Sequence, residues 1–212
     1  MDVLPHLEFL LGGIPGFRLI QPALDRAALR HWYRTHQPPA PRAVKADLIR
    51  SFTATGQHTV FVETGTFRGD MIAAVRANFE QLFSIELHAE LGSKAARRFA
   101  ADPAVKILIG DSGELLKPLV QAIGRPVVYW LDGHYSGFRT ARGEADTPIC
   151  RELDAVLVHG TPDDIVLIDD ARLFGTDPAY PLIAHVEARM HAHRPDWVFE
   201  VKDDIVRLHS LR

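Results

Sequence analysis

The 212-residue sequence predicts an α/β fold: a mostly parallel β-sheet between two layers of helices, ending in a C-terminal antiparallel hairpin. Three observations predict it. From residue 43 onward, short runs rich in β-branched and aromatic residues alternate with longer amphipathic runs. The short runs are almost continuously apolar, as strands buried on both faces of a parallel sheet must be. The last two runs, within Trp197–His209, are separated only by a polar turn, which can join antiparallel neighbours but not parallel ones.

The first 42 residues stand apart from this pattern. They hold Pro5, Pro15, Pro22, Pro38, Pro39 and Pro41 together with Phe9, Phe17, Trp32 and Tyr33. Proline ends helices, so short helices and turns are expected, with one helix from Asp25 to His36 capped near Asp25. Gln37–Pro41 marks a boundary. Residues 1–42 read as an accessory segment that caps the site or forms a homodimer contact, and residues 43–212 as the principal domain.

Within that domain each element has a local reason. A helix over about 43–55 stops near Gly56, and the run 58–65 is the first strand, halted by a glycine turn. Helices at about 69–80, 89–100 and 113–123 alternate with strands at 81–87, 105–110 and 126–133, the third helix ending at Gly124. Pro148–His159 is a helix closed by Gly160, with Thr147 as its cap and proline in its first turn. The fifth strand is 164–170, and a helix at about 181–192 leads into the hairpin.

Composition narrows the partners. Hydrophobic residues make up 47% and charged residues 24% of the chain, the balance of a globular protein. The net charge of −3 gives no electrostatic reason to expect nucleic acid or an anionic membrane as partner. The single cysteine, Cys150, excludes an intrachain disulfide and a cysteine-based zinc site, and reads as a small buried hydrophobe. The N-terminus lacks the basic region of a signal peptide, and no apolar stretch reaches the ~20 residues of a membrane span. A cytoplasmic protein is the expectation.

Ligands of open α/β sheets sit at the carboxyl ends of the strands. The first strand here ends in Glu63-Thr64-Gly65-Thr66-Phe67-Arg68-Gly69. Gly65 allows a tight turn and Gly69 a close approach of the next helix. This is not GxGxxG, so a pyrophosphate cradle is disfavoured and a nicotinamide-dependent oxidoreductase becomes the weaker alternative. Glu63 suits a cationic ligand. Glu86, at the end of the second strand, can accept from two ribose hydroxyls. Asp111 can accept from an adenine amino group, and Ser112 can cap the next helix. Taken singly, these acids also read as a loop carboxylate, a helix N-terminal charge and a cap; together they end three successive strands.

These residues resemble a class I S-adenosylmethionine-dependent methyltransferase over about residues 57–210. The turn matches that family's E/D-x-G-x-G-x-G with Phe67 in place of the middle glycine. The resemblance implies a Rossmann-like three-layer sandwich of seven strands in the order 3-2-1-4-5-7-6. It also implies that Glu63, Thr64, Gly65, Thr66 and Gly69 line the methionine and ribose side, Glu86 the ribose, and Asp111 with Ser112 the adenine. The substitution at Phe67 also leaves open a cofactor-binding protein without turnover.

The fourth strand ends in Asp132 and the fifth in Asp169-Asp170. Adjacent strand ends bring these carboxylates together, where they repel unless a cation lies between them. Oxygen ligands suit Mg2+, Mn2+ or Ca2+. Alternatively, Asp169 and Asp170 solvate a strand end and bind loop amides. The layout is similar to the cation-dependent O-methyltransferases of the catechol and macrocin types, and the string Leu131–Gly137 to bacterial methyltransferase-like proteins. The resemblance implies a small-molecule or sugar acceptor whose hydroxyl is bound by a metal on Asp132, Asp169 and Asp170. His134 is the expected general base, although a loop histidine beside glycine is also a common structural residue. The polar loop 136–149 reads as a lid, with Arg139 or Arg142 available to an acceptor carboxylate or phosphate. Tyr135 and Arg172 flank the same strand ends and are further candidate acceptor contacts. The Asn-Pro-Pro-Tyr type of amino-methylating motif is absent.

Overall fold

The computed structural model describes residues 17–132 and 148–211. Helix α1 (Phe17–Thr35) and α2 (Arg42–Ser51) precede the sheet. Then follow β1 (Val60–Thr64), α3 (Asp70–Val75), β2 (Gln81–Glu86), α4 (Ala89–Arg98), β3 (Val105–Ile109), α5 (Ser112–Ile123) and β4 (Val127–Leu131). The chain continues through α6 (Ile149–His159), β5 (Ile165–Ile168), α7 (Ile183–His193), β6 (Trp197–Lys202) and β7 (Ile205–Ser210). The strands form one sheet in the order β3-β2-β1-β4-β5-β7-β6. The first five are parallel, and β7 runs antiparallel to both β5 and β6. Fold class, strand order and terminal hairpin are those expected.

The alternation of side chains along each strand divides the core in two. Val62, Tyr129, Val166 and Leu208 face the layer of α6 and α7, where Leu153, Val156, Val186 and Met190 are buried. Phe61, Val128, Trp130 and Leu167 face α2 and α3, where Ala46, Ile49, Ile72 and Val75 are buried. Trp197 is a core residue like Trp130, and Cys150 is half-buried against the first cluster.

Local signals misplace some ends. α1 spans Phe17–Thr35 through Pro22, so Asp25 lies inside the helix and pairs with Arg42 at 3.5 Å instead of capping. α2 stops at Ser51, and residues 52–55 form turns before Gly56 at φ 72°. α3 is shorter than expected and tightens into a 3₁₀ turn over Arg76–Asn78. The β6–β7 turn places Asp203 and Asp204 at φ 56° and 64°. That pair of left-handed residues matches the right-handed twist of the hairpin strands. Among the described residues, no helix is long and apolar enough to cross a membrane.

Candidate active site

Strand register builds the site. β1 and β4 pair Thr64 with Leu131, and β4 and β5 pair Leu131 with Ile168. The ladder runs one step further: the Asp132 amide donates to the Thr64 carbonyl at 3.2 Å and the Asp169 amide to the Leu131 carbonyl at 3.1 Å. Asp132 and Asp169 are neighbours for that reason alone. Asp170 then turns at φ 56°. One carboxylate oxygen from each of the three lies within 4.8 Å of the others, with Asp169 and Asp170 buried and Asp132 half-buried.

The charges of this cluster are met from within the chain. Lys45 of α2 reaches across to Asp169, and its ammonium lies 5.9 Å from the centre of the Trp130 ring. Burial works against that charge, but Asp169, Asp132 and Asp170 outweigh it and raise the lysine pKa. Burial raises the Asp169 carboxyl, with Lys45 opposing. Arg172 pairs with Asp170 at 2.6 Å and also with Asp204 of the hairpin turn. Its guanidinium is thus engaged within the protein, and Arg172 also borders the cavity over the strand ends.

The turn after β1 lies against Glu86. The Glu86 carboxylate accepts from the Phe67 amide at 2.7 Å and from the His88 amide at 2.9 Å, one on each oxygen. Each oxygen keeps a lone pair for a further donor. Gly65, Phe67 and Gly69 have φ of 84°, 48° and 72°. Phe67 therefore adopts the left-handed conformation that the middle glycine of the motif permits freely. Leu87 and Ile109 are 36% and 46% exposed at the ends of β2 and β3. A Cβ on Gly92 would meet Ile109 at 2.8 Å and the Glu86 Cβ at 3.4 Å, which places Ile109 and Glu86 side by side.

Glu63 is buried and accepts from the Ser84 hydroxyl at 2.6 Å. Burial pushes its carboxyl up to about 8, against the pull of Ser84. Thr66 shares the same serine at 2.5 Å. Asp111 caps α5 through the Gly113 amide at 2.7 Å and pairs with Arg151 at 3.0 Å. Glu152 of α6 is buried near Ser112 and Thr64, its Oε1 is without a hydrogen-bond partner, and burial pushes its carboxyl up to about 7. Sequence reasoning missed Lys45 and Glu152. Each left a signal, a charge on the apolar stripe of its helix: Lys45 stands four residues before Ile49, and Glu152 three after Ile149. Gly133, His134, Tyr135, Arg139, Arg142 and the expected lid lie outside the described residues.

A cavity of about 450 Å³ opens over the acidic cluster and the turn after β1, while Glu86, Asp111 and Ser112 lie outside its lining. Glu63, Trp130, Asp132, Asp169 and Asp170 line it from the strand ends, and Gly65–Arg68 from the turn. The opposite wall comes from α1 and the proline loop, with Ala28, Trp32, Pro39 and Ala40. The accessory segment therefore borders the cavity directly.

Solved structures share this architecture. The O-methyltransferase TomG from Streptomyces achromogenes, solved with S-adenosylmethionine, is 22% identical over 88% of this chain and 86% of its own, with a TM-score of 0.54. An O-methyltransferase from Bacillus cereus, solved with S-adenosylhomocysteine, is 11% identical over 99% and 98%, with a TM-score of 0.58. The N-methyltransferase NodS from Bradyrhizobium japonicum WM9, also with S-adenosylhomocysteine, is 11% identical over 87% and 99%, with a TM-score of 0.55. At these identities the likeness shows the fold that these methyltransferases share. No protein-family model and no curated protein matches the sequence.

Proposed function

We propose that the chain is an S-adenosylmethionine-dependent O-methyltransferase that acts on a hydroxyl of a small molecule, sugar or glycoconjugate, with a divalent cation at Asp132, Asp169 and Asp170. The observation that carries the reading is Glu86. It grips the backbone of the β1–α3 turn, retains acceptor capacity for two ribose hydroxyls, and stands beside exposed Leu87 and Ile109. A flat purine covering those two side chains would remove their apolar surface from water. Phe67 is compatible with cofactor binding, because the turn keeps the glycine-like path despite the substitution.

When bound, the cofactor supplies an electrophilic methyl group on a sulfonium. Glu63 would face that positive charge, and Gly65 lets the ligand approach the turn. The donor set at the neighbouring strand ends fits a hard cation: three carboxylates converge, and an ammonium is already drawn among them. A divalent ion there would lower the pKa of an acceptor hydroxyl. The preference for oxygen over nitrogen rests on that cluster, since a hydroxyl must lose its proton to become a strong nucleophile. The wall formed by Trp32, Pro39 and Ala40 would pack on the acceptor body and exclude water from the transfer.

Calorimetric titration of S-adenosylhomocysteine into the wild type and Glu86→Ala tests the cofactor assignment. Micromolar binding that weakens at least tenfold in the variant supports it. Absence of binding by the wild type removes the methyltransferase reading. Transfer of labelled methyl from the donor to a panel of hydroxylated and aminated acceptors, with Mg2+ or with a chelator, then decides acceptor atom and cation requirement.

A further inference from the structure

The acidic cluster carries its own cation. Lys45 comes from α2, in the layer that covers one face of the sheet, and its side chain is only 14% exposed. Its ammonium engages Asp169 Oδ2, while Asp169 Oδ1 accepts from the Asp170 amide at 2.9 Å. Both oxygens of the central carboxylate thus already have a donor. Arg172 serves Asp170 but divides its charge with Asp204. Among the described residues, Lys45 is therefore the cation that meets the central carboxylate. The helix that bears it is anchored by the fully buried Ile49 and by Ala46.

We propose that Lys45 is the resident counter-ion of the cluster, and that a divalent cation binds by displacing its ammonium from Asp169. This inference rests on the cluster being a cation seat, as proposed above. An ion roughly 2.0–2.6 Å from Asp169 Oδ2 and an ammonium hydrogen-bonded to the same oxygen are like charges in near contact, and each repels the other. Lys45 accordingly sets the cation affinity of the site. It keeps the three carboxylates together when no ion is present, and it makes occupancy an exchange of one cation for another. Its role is positional, acting through Asp169.

The test is titration of MnCl2 into the wild type, Lys45→Met and Lys45→Arg, followed by calorimetry and by the spin-resonance signal of free Mn2+. S-adenosylhomocysteine binding in the same preparations serves as a second readout. Lys45→Met is expected to bind Mn2+ at least tenfold more tightly than the wild type, while Lys45→Arg, which keeps the charge, stays within about threefold of it. Mn2+ is also expected to raise the Tm of Lys45→Met by more than that of the wild type. Should Lys45→Met unfold without the ion, its recovery on adding Mn2+, and not on adding NaCl at equal ionic strength, supports the proposal; failure to recover overturns it. Equal or weaker Mn2+ binding by a folded Lys45→Met overturns the proposal and leaves the cation seat standing. No Mn2+ binding by any of the three, with S-adenosylhomocysteine still bound, removes the cation seat and this inference together and leaves the cofactor assignment intact.

Discussion

Phe67 holds its backbone at φ 48°, where an L-residue pays about 1 kcal/mol that glycine does not. The Glu86 carboxylate offsets this by accepting the Phe67 amide at 2.7 Å. Phe67→Gly should therefore keep S-adenosylhomocysteine affinity within about threefold, while the β-branched Phe67→Val lowers both affinity and Tm. Calorimetry and a thermal melt check the pair, and equal behaviour of the two variants would remove the strain argument. Glu63 makes a second prediction. Burial pushes its carboxyl up to about 8, so it is mostly protonated at neutral pH in the cofactor-free protein. A sulfonium placed beside it favours the ionised form, so binding should expel a fraction of a proton. The binding enthalpy measured near neutral pH should then vary with the ionisation enthalpy of the buffer, and less so in Glu63→Gln. Buffer-independent enthalpy in the wild type would show that Glu63 does not meet the donor's charge.

The β6–β7 hairpin secures the active-site end of β5. The Ala171 amide donates to the Asp204 carbonyl at 2.9 Å, the Arg172 amide to the Asp204 carboxylate at 2.8 Å, and the Arg172 guanidinium to the same carboxylate. Asp204 is itself left-handed at φ 64°, so turn geometry and side-chain contact must be separated. Asp204→Gly keeps the turn and deletes the carboxylate. It should cost about 1–3 kcal/mol, because the Arg172 amide and guanidinium lose a buried acceptor. Denaturant melts measure this, and a wild-type midpoint would mean that the hairpin turn contributes only its backbone.

Buried acids set the pH response of the whole molecule. Glu63 rises from 4.5 to about 8 and Glu152 from 4.5 to about 7, both chiefly through burial. A carboxyl whose folded pKa is raised contributes stability that is full below its unfolded value and is lost as pH rises through the folded one. The cofactor-free protein should thus be more stable near pH 5 than near pH 8, with Tm falling by several degrees between them. The double variant Glu63→Gln, Glu152→Gln should flatten that slope. A Tm that rises over the same range would show that these carboxyls are ionised in the folded state.

The fold was legible in the sequence because periodicity is local. Alternating apolar strands and amphipathic helices announced the parallel sheet, and the polar turn at Asp203-Asp204 announced the hairpin. Because strands of a parallel sheet end together, the acids at 63, 86, 111, 132, 169 and 170 could be placed at one rim without coordinates. Which partner each acid meets could not be read in this way. Lys45 lies 124 residues from Asp169, and Glu152 is buried near Thr64 and Ser112 from a separate helix. Arg172 is directed to a turn formed 32 residues later. Those pairings depend on how the layers pack over the sheet, and a charge on the buried stripe of a helix says only that a partner exists. The sequence by itself determined the sheet, the rim where its parallel strands end and the kinds of group gathered there. The tertiary structure decided that an internal ammonium already occupies the acidic cluster and that the N-terminal helix walls the cavity, because only packing brings residues distant in the chain within the few ångströms over which charges and hydrogen bonds act.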